Sequence, residues 1–147
     1  MSQRNQKAIK FQEFLAARQI TCFADQETGN EINTVVFRAN LDVGGQHLPL
    51  MLVTDDSIYT LLQVRVAAAV QDPTRPSVLA YINELNKTYK LFKYFIGTEN
   101  ELILACCLPA TAERFEPELV SLSIDLILQH LQEEYPVIMR KLWAAES

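Results

Sequence analysis

From Val35 to Val66 the apolar side chains fall at every second position in three successive runs, and this pattern constrains the fold more than any other feature of the chain. Val35, Phe37, Ala39 and Leu41 alternate with Val36, Arg38 and Asn40. A period of two puts one set on each face of a strand. Asp42-Val43-Gly44-Gly45 then offers two glycines for the positive φ angles of a tight reversal. In the second run Leu48, Leu50 and Leu52 oppose His47, Pro49, Met51 and Val53. Pro49 lacks an amide hydrogen, which argues for an edge position or a local break in pairing. Asp55-Asp56-Ser57 makes the next reversal, and Ile58, Thr60, Leu62, Val64 and Val66 alternate with Tyr59, Leu61, Gln63 and Arg65. The expectation is three consecutive antiparallel strands.

Helical periodicity flanks this block. Ala8, Phe11 and Leu15, widened by Ile9 and Phe14, predict a helix over residues 3–18 whose outer, solvated face carries Arg4, Lys7, Lys10, Glu13 and Arg18. After the break at 71–76, Val78, Leu79, Ile82, Leu85 and Tyr89 predict a second helix with Pro76 in its first turn. Alternation returns over 90–97 through Phe92, Tyr94 and Ile96. Thr98-Glu99-Asn100 turns the chain, and Leu102, Leu104, Cys106 and Leu108 alternate with Ile103, Ala105 and Cys107 up to Pro109. From Pro117 to Tyr135 a long helix shows Val120, Ile124, Ile127, Leu128, Leu131 and Tyr135 on one face. Pro136 bends or restarts it before Ile138, Met139, Leu142 and Trp143. The order helix, three strands, helix, two strands, helix predicts an α+β two-layer domain with a five-stranded, mainly antiparallel sheet. With 147 residues, 49% of them hydrophobic, and only four glycines and six prolines, residues 1–147 read as a single domain without linkers.

Most chemistries find no foothold. The formal charge of −5 argues against general attraction to nucleic acid or anionic lipid, while leaving room for a local basic patch. Neither secretory signal nor membrane span is visible, and three cysteines, two of them adjacent, make a disulfide framework improbable, so the expected compartment is the cytoplasm. The four glycines do not form a phosphate-cradling motif, and Cys22, His47, Cys106, Cys107 and His130 are spread over separate elements without metal-ligand spacing. Alternation makes one of Cys106 and Cys107 an inward hydrophobe and the other an outward thiol. Asp55-Asp56 read as turn residues rather than as a catalytic pair. His130, near the edge of the last helix's stripe, is expected either to pack or to sit at its rim, and His47 to be exposed. No nucleophile elbow occurs, so no catalytic residue, cofactor site or metal site is assigned and the chain is not expected to be an enzyme.

What does stand out is the second face of the sheet. The positions that alternate with the core include Val36, Met51, Val53, Tyr59, Leu61, Phe95, Ile103 and Cys107, interspersed with Arg38, Gln63, Arg65 and Lys93. That is too apolar for open water. Either another subunit or a client segment covers it, or a helix lies across it. Leu119, Leu122 and Leu126 likewise leave the main stripe of the last helix. Self-association into a homodimer would resolve both surpluses.

One stretch carries a family likeness. Leu79-Ala80-Tyr81-Ile82-Asn83-Glu84-Leu85-Asn86 with Tyr89, then a hairpin ending at Leu108-Pro109 and a long helix closing on Glu134-Tyr135-Pro136, resembles the YbjN-like domains of bacteria, most specifically over residues 78–110. The resemblance implies a fold like that of type III secretion chaperones, scaffolds that commonly dimerise and wrap extended segments of effector proteins; the family has also carried a sensory or transcriptional regulator label. It implies no catalytic residues. Two expectations follow. In one, a non-catalytic homodimeric scaffold captures a protein or peptide client by main-chain pairing at an edge strand and side-chain pockets, with Met51, Val53, Tyr59, Leu61, Phe95 and Ile103 as contacts, and with no nucleic acid or membrane partner. In the other, a small-ligand sensor or small enzyme has a pocket between helices and sheet.

Overall fold

The computed structural model describes residues 4–143. Helix α1 (Gln6–Ala17) leads into a sheet of β1 (Ala24–Glu27), β2 (Val35–Val43), β3 (Gln46–Thr54) and β4 (Tyr59–Ala67); α2 (Arg75–Thr88), β5 (Lys93–Ile96), β6 (Leu102–Pro109) and α3 (Pro117–Trp143) complete it. All pairings are antiparallel and the spatial order is β1-β2-β3-β4-β6-β5. The α+β architecture is as expected. Among the described residues, however, the sheet has six strands rather than five.

The missing strand was β1, an Ala-Asp-Gln-Glu segment with no apolar alternation. Asp25 and Glu27 point to the helix side, where Arg4 reaches them at 2.6 and 2.8 Å. A charge pair at the sheet margin replaces the apolar contact that would have marked the strand. Helix α1 also starts later than expected, at Gln6, because Asn5 caps it: Ala8 N donates to Asn5 Oδ1 at 2.8 Å. Residue 3 lies outside the described residues.

The core lies between one face of the sheet and the three helices. Val35, Phe37, Leu50, Leu52, Leu62, Val64, Leu102 and Leu104 are almost fully buried beneath Phe11, Ile82, Ile127 and Leu131. Each such side chain contributes about 1.5–3 kcal/mol relative to exposure. Phe11 meets Phe37 edge-on with centroids 4.9 Å apart, fixing α1 to β2. Helix α3 runs unbroken through Pro136.

Lys7 corrects the expected polarity of α1. It does not lie on the solvated face but is 1% exposed, with Nζ donating to Tyr59 O at 2.9 Å and to Thr60 Oγ1 at 3.0 Å. Burial lowers its pKa, and the charge of Asp55 works against that shift. A lysine near the start of the helix thus pins α1 to the head of β4. Pro49 is not at an edge, because β3 is paired on both sides. It does mark a break: β3 pairs with β2 from Gln46 to Thr54, but with β4 only from Leu50 to Val53. Strand β5 begins at Lys93 rather than at residue 90, although Phe92 is still buried.

Candidate functional site: the open face of the sheet

All three helices pack on the same face of the sheet, so among the described residues no helix covers the other. The hairpin at Gly44 and Gly45, with φ of +55° and +81°, and the turn at Asp55, whose Oδ1 accepts from Ser57 N at 2.8 Å, set the registers that order this open face. Directly paired residues share a face, so the ladders can be read as rows. One row runs Gln26, Val36, Val53, Leu61, Cys107. The next runs Ala24, Arg38, Met51, Gln63, Ala105, Lys93. Beyond it Arg65 pairs with Ile103 and Ile103 with Phe95, while Tyr59 pairs with Pro109 at the opposite end.

The six candidate contact residues therefore do lie on one face, in two groups. Val53 and Leu61 are adjacent, with Met51 two residues along β3 and Tyr59 two residues along β4; Ile103 and Phe95 are adjacent across the sheet. Met51, Val53, Leu61 and Ile103 are half-buried by their neighbours, whereas Tyr59 is 58% and Phe95 43% exposed. Arg38, Gln63 and Lys93 share the row of Met51, between the row of Val53 and Leu61 and that of Ile103 and Phe95. Arg38 donates to Gln26 Oε1 at 3.1 Å, and Lys93 Nζ donates to the carbonyls of Asn86 and Tyr89 at 2.9 Å, closing the end of α2. Among the described residues neither Arg38 nor Arg65 forms an ion pair.

The face is not flat. A groove of about 290 Å³ lies between Arg38, Met51, Gln63, Arg65 and Ile103. It adjoins a larger cleft of about 480 Å³, because Pro49 and Arg65 line both. The cleft opens where the β3–β4 ladder stops at Leu50, and Tyr135, Met139 and Trp143 of α3 form its far wall. Pro49 was the sequence signal for this opening, since a residue without N–H cannot extend a ladder. The part played by Trp143, which is 68% exposed, had no comparable signal.

Elsewhere the chemistry is sparse. A cavity of about 200 Å³ between α1, α3 and β2 is lined by Phe11, Phe14, Phe23 and Ile124, smaller than the roughly 300–1,000 Å³ of ligand pockets. His130 is buried, not at a rim, with Nε2 2.7 Å from Tyr94 Oη and its ring 4.4 Å from those of Tyr89 and Phe92. Burial lowers its pKa, and Glu134 opposes the shift. His47 is exposed and pairs with Asp42. Cys106 is buried, which pushes its thiol pKa up, and Cys107 is exposed on the open face, the division that alternation implies. Among the described residues no three His, Cys, Asp or Glu side chains cluster so as to hold a metal ion, and no helix is long and apolar enough to cross a membrane. Comparison with protein-family models, with curated proteins and with solved structures finds no match for this chain.

Proposed function

We propose that this chain is a non-catalytic protein-binding module of the YbjN-like kind, acting as a homodimer in the cytoplasm and holding a segment of a partner protein on the open face of its sheet. The observation that carries this reading is the apolar character of that face: Met51, Val53, Tyr59, Leu61, Phe95 and Ile103 lie together on the side away from the helices. An antiparallel sheet with one solvated face is ordinarily polar there, and apolar patches of this kind mark interaction surfaces. Both edge strands, β1 and β5, are only four residues long, which limits main-chain pairing at an edge and shifts the emphasis to the face.

The dimer is assigned to α3. Leu119, Leu122 and Leu126 are 48, 52 and 43% exposed, and their spacing of three and four residues makes a narrow seam suited to a second helix. Light scattering with Leu122→Asp tests this, the expected result being a folded monomer. The binding role is tested with Leu61→Asp and Phe95→Asp. Both should stay folded and dimeric while losing the partners that cross-link to the wild type in its native host. An unchanged set of partners would remove the open face as the docking surface.

A further inference from the structure

The charge pattern of the open face narrows its occupant. The chain as a whole is acidic, at −5, yet the middle of this face carries Arg38 and Arg65 and no carboxylate, with Lys93 on the edge strand β5; Asp42 lies at the far end of β2, paired with His47. Lys93 is committed to the end of α2, whereas the two arginines lack an ionic partner among the described residues. They sit two strands and one same-face step apart, roughly 12 Å between Cα atoms on standard sheet spacings of about 4.8 Å and 6.7 Å. Both line the same groove, so their guanidinium groups can approach one carboxylate from two sides.

A second copy of the sheet is a poor fit for this surface, since face-to-face packing would bury Arg38 and Arg65 of both copies with no carboxylate in the middle of either face to pair them. A nucleic acid would meet only three cations set among apolar side chains, on a protein of opposite net charge. The groove is also not closed. Through Pro49 and Arg65 it continues into the cleft walled by Tyr135, Met139 and Trp143, a track suited to an extended chain rather than to a compact ligand.

We propose that the open face takes an extended acidic segment of a partner protein, with an Asp or Glu carboxylate between Arg38 and Arg65 and an apolar or aromatic side chain in the adjoining cleft. The proposal rests on the protein-binding reading above and adds the chemistry of the partner.

The test is an array of random decapeptides of graded acidic content probed with the full-length protein. The best binders are then resynthesised with a fluorescent label, as Glu-to-Gln twins, and measured by anisotropy beside a labelled single-stranded oligonucleotide. The expected result is enrichment of Asp and Glu next to aromatic or aliphatic residues, and a roughly tenfold loss of affinity (about 1.4 kcal/mol) either on Glu-to-Gln exchange in the peptide or in Arg38→Gln/Arg65→Gln. The two losses should not add, because each removes the same contact. If the Gln twins bind as tightly as the Glu peptides, and Leu61→Asp still abolishes both, the acidic specificity is overturned while the docking face stands. Binding indifferent to the arginines and to Leu61 alike, or no saturable binding by any peptide, overturns both. Tighter binding of the oligonucleotide than of the acidic peptides, dependent on Arg38 and Arg65, overturns the peptide in favour of a polyanion.

Discussion

His130 ties the stability of the domain to pH. Its imidazole is 5% exposed, enclosed by Tyr89, Phe92 and Tyr94, and burial holds its pKa below the ordinary 6.5 while the nearby Glu134 pulls the other way. In the unfolded chain the ring protonates as pH falls through about 6.5; in the native state it resists until a lower pH. Between those two values the unfolded state binds more protons, so stability falls as pH falls. The contribution of His130 is whole above the unfolded pKa, is lost progressively down to the folded one, and changes no further below it. The slope is bounded at about 1.36 kcal/mol per pH unit. His130→Phe keeps an aromatic ring in the cage but has nothing to titrate. It also leaves the Tyr94 hydroxyl without its nitrogen partner, an offset of about 1–3 kcal/mol that does not depend on pH in this range. The measurement is urea unfolding of both proteins from about pH 7.5 to about pH 5.5, with the difference in unfolding free energy plotted against pH. Subtracting the variant cancels what the carboxylates other than Glu134, and His47, contribute. The difference should be flat above about pH 6.5 and shift below it in the direction that disfavours the wild type. Parallel profiles throughout would refute the reasoning, because they would mean that His130 titrates alike in both states.

Three further substitutions probe the frame that presents the face. Asn5→Ala removes the α1 cap and the bonds from Nδ2 to Asn33 O and Thr54 Oγ1, and should lower the unfolding free energy by about 2–3 kcal/mol, read as a reduced urea midpoint at constant m. Leu52→Ala, at a fully buried position in β3, should cost about 2–5 kcal/mol in the same assay. Pro136→Ala restores a backbone donor within α3 and should raise the thermal midpoint, the gain staying below the roughly 3 kcal/mol that proline costs in a helix interior. A fall in that midpoint would mean that the proline stabilises α3 and would refute the expectation.

The central strands, the helices and the inward or outward sense of most strand residues from Val35 to Val66 were legible because one face is buried, and a period of two then leaves a single register; Ile58, read as an inward strand position, precedes β4 and is 50% exposed, and Val43, read as part of the turn, closes β2 in the core. Cys106 and Cys107 followed by the same logic. What escaped was set by tertiary electrostatics. β1 has no apolar residue beyond Ala24, so only the reach of Arg4 to Asp25 and Glu27 reveals its inner side. Lys7 read as solvated because a lysine carries no sign of the Tyr59 carbonyl and Thr60 hydroxyl that hold it. The candidate face was legible as an apolar surplus. The groove between Arg38 and Arg65 was not, since it depends on which strands are neighbours, and β6 comes between β4 and β5 only in the folded sheet.

The two-layer arrangement also decides which assembly can close. The leucines of α3 lie on the outer side of the helix layer, and the apolar face lies on the outer side of the sheet layer, so the two surfaces point away from each other. Seating the α3 seam of one copy on the open sheet of another would leave the same pair of surfaces free at both ends of the stack, and such heterologous contacts propagate unless a rotation closes them. Seam against seam closes at two copies. It also leaves both open sheets outward, so the proposed dimer presents two equivalent grooves on opposite sides. A partner bearing two acidic segments with a linker long enough to pass around the helices would then be held with an avidity above that of either site, without any further contact.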